Sequence, residues 1–79
     1  MNLLDVSNGD CVRVTRFEAG MGLDIKLRSL GILPGDIAKV IRQAPFGGPI
    51  LVEIHGREIA LGRGIAKKIE VEAEESTPP

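Results

Sequence analysis

The side chains that could take part in covalent chemistry are Cys11, Ser7, Ser29, Thr15 and His55. A nucleophile works only with a base in hydrogen-bond reach. Nothing in the spacing fixes Cys11 beside His55. Cys11 opens a predicted strand, a usual place for a small buried hydrophobe. His55 falls in a predicted hairpin turn, where a histidine is ordinarily exposed. The reading is therefore that this chain is not an enzyme. A soft metal site needs several convergent ligands, and one Cys with one His cannot build one within a single chain. Asp5, Asp10, Asp24, Asp36, Glu53 and Glu58 are scattered. His55 with Glu53 is the weak metal candidate, one that a second molecule would have to complete. No cofactor is implied. The glycine-rich stretches "FGGP" and "GRGIAKK" lack the spacing of a phosphate-cradling loop.

Two phenylalanines, Phe17 and Phe46, are the only aromatics. Residues 1–69 carry ten basic and seven acidic side chains, a net of +3, and residues 70–79 carry four acids, a net of −4. So mild a basicity with so few aromatics is not the footprint of a nucleic-acid surface. It also argues against the aromatic-lined groove that takes proline-rich peptides.

What remains is surface for a protein partner. The stretch "APFGGP" puts Ala44, Pro45, Phe46 and Pro49 into one connection. Phe46 either folds back to plug the domain, since a small fold wants its large apolar groups inside, or stands out as a docking tip. The stretch "LRSLGILPG" carries core leucines and two further contact candidates, Ile32 and Leu33. Arg28 either meets an acidic partner face or pairs with Asp24 at i, i+4. The partner-binding set is thus Phe46, Pro45 and Pro49, then Ile32 and Leu33, with Arg28.

These residues need elements to hold them. Val12 and Val14 alternate with Arg13 and Thr15, which predicts a half-buried strand after the turn residues "SNGD". Leu23, Leu27 and Leu30 predict a short helix with one apolar face, and Gly31 suits its left-handed C-cap. Pro34 and Gly35 suit a type II turn. "DIAKVIRQ" reads as a strand with impure alternation. "ILVEIH" is the cleanest strand, with Ile50, Val52 and Ile54 on one side. His55 and Gly56 then make a tight primed hairpin into "REIAL", where Ile59 and Leu61 point inward. "GRGIAKK" gives a turn or single helical turn, and "IEVE" a last strand. Gly-Asp followed by Val four residues after the Asp occurs twice, in "SNGDCVRV" and "LPGDIAKV", at an offset of 26 residues. This reads as two similar turns entering two strands.

The fold expected is mainly β: a small barrel of about five strands, with a short helix after the first. One domain spans residues 1–72, and residues 73–79 form a flexible acidic, proline-ended tail. A lone cysteine fits a reducing compartment. The N-terminus does not read as a signal peptide, and no apolar run is long enough to span a membrane. The expected location is the cytoplasm, without membrane insertion.

Arg28, Leu30, Gly31, Pro34, Gly35, residues 45–49, Ile59, Ala60, Leu61 and Ala66 together resemble the FeoA family of small ferrous-iron-transport accessory proteins. The resemblance runs from about Leu3 to Val71. It implies an SH3-like barrel with a helix after the first strand. It implies a bacterial cytosolic protein acting by contact with the FeoB-type ferrous iron permease, a membrane protein with a cytosolic GTP-binding domain. The chain is also similar to the SH3-like C-terminal domain of DtxR-type metal repressors. That likeness supplies the alternative, a small metal-binding or metal-sensing domain. A chain of this length has no room for a helix-turn-helix as well.

Overall fold

The computed structural model describes residues 1–18 and 22–74. A 3-10 turn, η1 (Leu3–Asp5), leads into β1 (Cys11–Phe17), α1 (Leu23–Ser29), β2 (Ile37–Gln43), β3 (Ile50–Ile54), β4 (Arg57–Leu61), α2 (Arg63–Ala66) and β5 (Ile69–Ala73). The strands form one antiparallel sheet in the order β4-β3-β2-β1-β5. This is the mainly β, SH3-like arrangement expected, with the helix after the first strand. The sheet is open: β4 and β5 are its edges. The chain start runs beside β5, where Val71 N donates to Met1 O at 2.8 Å and Asn2 bridges Glu70.

Alternation chooses the core. Val12 and Val14, Ala38 and Val40, Ile50, Val52 and Ile54, Ile59 and Leu61, and Ile69 and Val71 all face inward and are buried. Leu27 closes the core from α1, with Leu23 and Leu30 packed against it. The helix ends as its sequence predicts. Ile32 N reaches Leu27 O at 2.9 Å and Gly31 N reaches Arg28 O at 3.0 Å, with Gly31 at φ 87°, a Schellman closure. The impure alternation of β2 has a local cause. Register shifts between Val40 and Arg42, so Ile41 is an extra residue against β3, a bulge that turns the strand.

The repeated Gly-Asp pair is two matching turns that grip each other's strand. Asp10 N donates to Ser7 O at 3.1 Å, and Asp36 N donates to Leu33 O at 3.1 Å. Gly9 and Gly35 take φ 91° and 97°. Gly9 N then bonds Val40 O at 2.6 Å, and Val40 N bonds Asp10 O at 3.0 Å. Reciprocally, Gly35 N bonds Val14 O at 2.7 Å, and Val14 N bonds Asp36 O at 2.9 Å. Each turn thus holds the valine that belongs to the other copy of the pattern.

β5 continues two residues past Val71. Glu74 N donates to Cys11 O at 3.3 Å, and Arg13 holds Glu72 and Glu74 at 2.8 and 2.6 Å. Glu74, one of the two acids in the stretch read as a tail, is therefore paired along the sheet. Residues 75–79, the rest of that stretch, lie outside the described residues, as do residues 19–21 of the predicted breaker before α1.

Gly9→Ala and Gly35→Ala each force a Cβ into left-handed backbone. Each is expected to lower stability by about 1–2 kcal/mol. The double variant is expected to lose less than the sum, because both load the same β1–β2 ladder. Urea unfolding of the four proteins measures this; strict additivity would contradict the reciprocal clasp.

Candidate functional site

The connection from β2 to β3 is built by two turn bonds. Ala44 N donates to Pro49 O at 2.9 Å, and Gly48 N donates to Pro45 O at 3.2 Å. The two central residues, Phe46 and Gly47, have φ 57° and 74°. Two positive φ values define a primed turn whose first central position favours Asn, Asp or Gly. Phenylalanine is the wrong residue there by local propensity. It is also fully exposed, at 104% of its reference area. The ring therefore plugs nothing, and the reading of Phe46 as a cap on the domain is set aside. Leaving a ring in water forgoes about 1.5–3 kcal/mol of burial, and left-handed backbone costs roughly 1–2 kcal/mol more. Among the described residues no packing of the ring offsets these costs. Pro45 and Pro49 flank the tip and are exposed as well.

Next to the tip lies an open depression of about 150 Å³, lined by Arg42, Ala44, Pro49, Ile50, Leu51 and Ala60. Arg63 adds a second cation near the tip: its Cδ approaches Gly47, and its Nη1 reaches Gln43 Oε1 at 3.4 Å. Among the described residues neither Arg42 nor Arg63 has an ion-pair partner. Gln43 anchors this end of the sheet, donating from Nε2 to Leu4 O at 3.1 Å and to Val6 O at 3.0 Å.

The other sequence-picked residues lie elsewhere. Ile32 is 1% exposed and belongs to the core, whereas Leu33 is 44% exposed. Leu33 precedes β2 and Phe46 follows it, so the length of that strand, roughly 20 Å at 3.3 Å per residue, separates them. Arg28 is exposed and makes no ion pair with Asp24. His55 sits in its own primed turn, with φ 54° there and 77° at Gly56. Its Nε2 lies 3.0 Å from Asp36 Oδ1, and Glu53 is no part of that contact. Among the described residues no group of three or more potential metal ligands converges.

Comparison with known proteins agrees with this architecture. The model of the FeoA domain matches residues 1–73. The chain belongs to the FeoA family. A Methanocaldococcus jannaschii protein provisionally named Fe(2+) transport protein A is 44% identical over 64 residues, 81% of this chain and 76% of that one. The solution structure of iron(II) transport protein A from Clostridium thermocellum superposes with a TM-score of 0.85 at 36% identity, over 92% of this chain and 45% of that one. A manganese-dependent transcriptional repressor gives a TM-score of 0.85 at 27% identity, over 94% of this chain and 41% of that one. The chain thus spans less than half the length of either solved protein.

Sequence reasoning singled out Phe46 and its prolines but not the residues that surround them. Arg42, Leu51, Ala60 and Arg63 look like ordinary solvent-side residues of strands and a turn. Only the pairing of β2, β3 and β4 sets the first three beside Pro49. Ile25, 74% exposed on α1, was also missed, because the leucine spacing drew attention to the opposite face. Among the described residues no helix is long and apolar enough to cross a membrane.

Because the ring is unsupported and the backbone left-handed, Phe46→Asn is expected to keep the stability of the fold or raise it by up to about 1 kcal/mol. Thermal and urea unfolding check this. A loss of about 2 kcal/mol or more would show that the ring packs against the domain.

Proposed function

We propose that this protein is a non-enzymatic accessory of ferrous iron uptake, cytoplasmic, that docks through the Phe46 tip on the cytosolic GTP-binding part of a FeoB-type permease. One observation carries the reading: a fully exposed aromatic held in unfavourable backbone. Strained backbone of this kind clusters at functional positions. The family supplies the transport context, and relatives named for Fe(2+) and iron(II) transport support it. Pro45 and Pro49 stiffen the loop, so less entropy is lost on docking. Arg42 and Arg63 add a positive rim, which suits an apolar pocket edged with acidic groups. Leu33 and Arg28, at the far end of β2, form a second and separate contact region.

A second reading is a small metal-sensing domain, favoured by the likeness to the manganese-dependent repressor. Anaerobic titration with ferrous iron, with His55→Ala alongside, separates the two. Micromolar, stoichiometric binding lost in the variant would favour sensing.

The direct test is binding of the purified cytosolic domain of the permease by calorimetry. Phe46→Asn is expected to weaken it by about 30-fold or more, as for a central aromatic anchor. Leu33→Ser is expected to weaken it only a few-fold. Unchanged affinity in a folded Phe46→Asn protein would remove the tip from the interface.

A further inference from the structure

The open sheet has two edges, and they are treated differently. Along β5 lies the chain start, with Val71 N donating to Met1 O and Asn2 bridged to Glu70. Among the described residues no backbone lies along the outer side of β4. The two-residue turn at His55 and Gly56 decides which groups are left there. Ile54 and Arg57 close the hairpin, so Arg57, Ile59 and Leu61 bond to β3, while Glu58 and Ala60 turn their N–H and C=O groups away from it. Among the described residues no other backbone bond reaches Glu58 or Ala60, and both are exposed. Proteins usually blunt such an edge with proline, a bulge or charge. β4 has no proline, and its register against β3 is unbroken. Its two charges, Arg57 and Glu58, stand at one end, and Arg57 is engaged with Leu30 O at 3.2 Å. Ile59, Ala60 and Leu61 carry none.

We infer that β4 takes an extended segment of a partner protein as an added strand, antiparallel like every other pair in the sheet. The unpaired groups of Glu58 and Ala60 call for a peptide backbone, whose own N–H and C=O groups continue the ladder. The outer face of the sheet sets the side chains of that segment. Ala60 is small and lines the open depression together with Leu51 and Arg42. A glutamate opposite Ala60 lays its methylenes along this apolar lining and directs its carboxylate to the side where Arg42 stands. Arg42 has no ion-pair partner among the described residues. Glu58 calls for the other sign, a lysine or arginine, because like charges directly opposite are destabilising. In antiparallel pairing the segment therefore reads Glu-x-Lys or Glu-x-Arg. The contact is small and falls in the class of weak, transient interfaces. It goes beyond the Phe46 tip and stands or fails apart from the transporter reading.

The probe is a blocked peptide, acetyl-Thr-Val-Glu-Val-Lys-Thr-amide, titrated to millimolar concentration into the full nitrogen-15-labelled chain. The amide resonances of Glu58 and Ala60 are expected to shift most. Their exchange with solvent is expected to slow by roughly tenfold at saturation, while Arg57, Ile59 and Leu61, already bonded to β3, hardly change. The same peptide N-methylated at its Glu and Lys loses the donors that face β4 and leaves the protein untouched. It is expected to bind roughly tenfold more weakly or worse. Ala60→Pro removes only an outward N–H, which an edge strand tolerates, and is expected to have the same effect. Arg42→Glu is expected to weaken binding roughly three- to tenfold. No shift at millimolar peptide, shifts centred away from β4, or equal affinity for the N-methylated peptide would each overturn the inference.

Discussion

The reciprocal grip of the two Gly-Asp turns is the contact on which the rest of the molecule depends. β1 and β2 are separated in sequence by the segment that carries α1. A strand pair closed over so long a connection must be specified at both ends. Gly9 and Asp10 hold Val40, while Gly35 and Asp36 hold Val14. Those valines are at 0% and 1% exposure, so the same residues fix register and fill the core. A one-residue slip would break both grips and turn both valines to solvent. Asp36 extends the arrangement, since Oδ2 accepts from Leu33 N at 2.8 Å while Oδ1 meets His55. One carboxylate thereby ties the β1–β2 register to the end of the β3–β4 hairpin.

The backbone plan was legible in the sequence because its signals are local and agree with one another. Strand alternation, the leucine spacing of α1, Gly31, the Pro34 and Gly35 turn, and the His55 and Gly56 hairpin each find the element they announce. η1 was not foreseen. Its signal is Asn2, which accepts from Leu4 N at 2.8 Å, with Asp5, whose Oδ2 accepts from Asn2 N at 2.9 Å. Such a pair is easily read as mere polarity at a chain start. The two Gly-Asp turns were visible as a repeat, but their mutual grip was not. A repeat shows that two segments share a conformation and carries no information on whether they touch.

The site was half legible for a related reason. An aromatic between proline and two glycines is conspicuous by type, so Phe46 stood out in one dimension. The depression beside it is made by Arg42, Leu51 and Ala60 from three strands, and it exists only through sheet pairing. Ile32 and Leu33 show the converse error of resolution. They are adjacent and equally apolar, and they differ only in that the Schellman closure turns Ile32 inward. Hydrophobicity alone could not divide them.

β3 is bracketed by two primed turns of the same build, which differ in what their first central residue meets. Each places a large side chain at the first central position with φ near 55° and a glycine after it. At one end His55 reaches Asp36, so the unfavourable backbone is offset inside the molecule, although a single exposed contact of this kind contributes at most about 1 kcal/mol. At the other end Phe46 has the same backbone and no internal contact, where asparagine or glycine would serve the turn better. A sequence consistent with its fold at so many other positions departs from local preference at this one. The bare ring thus finds no counterpart among the described residues, and Pro45 and Pro49 on either side limit the freedom of the loop that carries it.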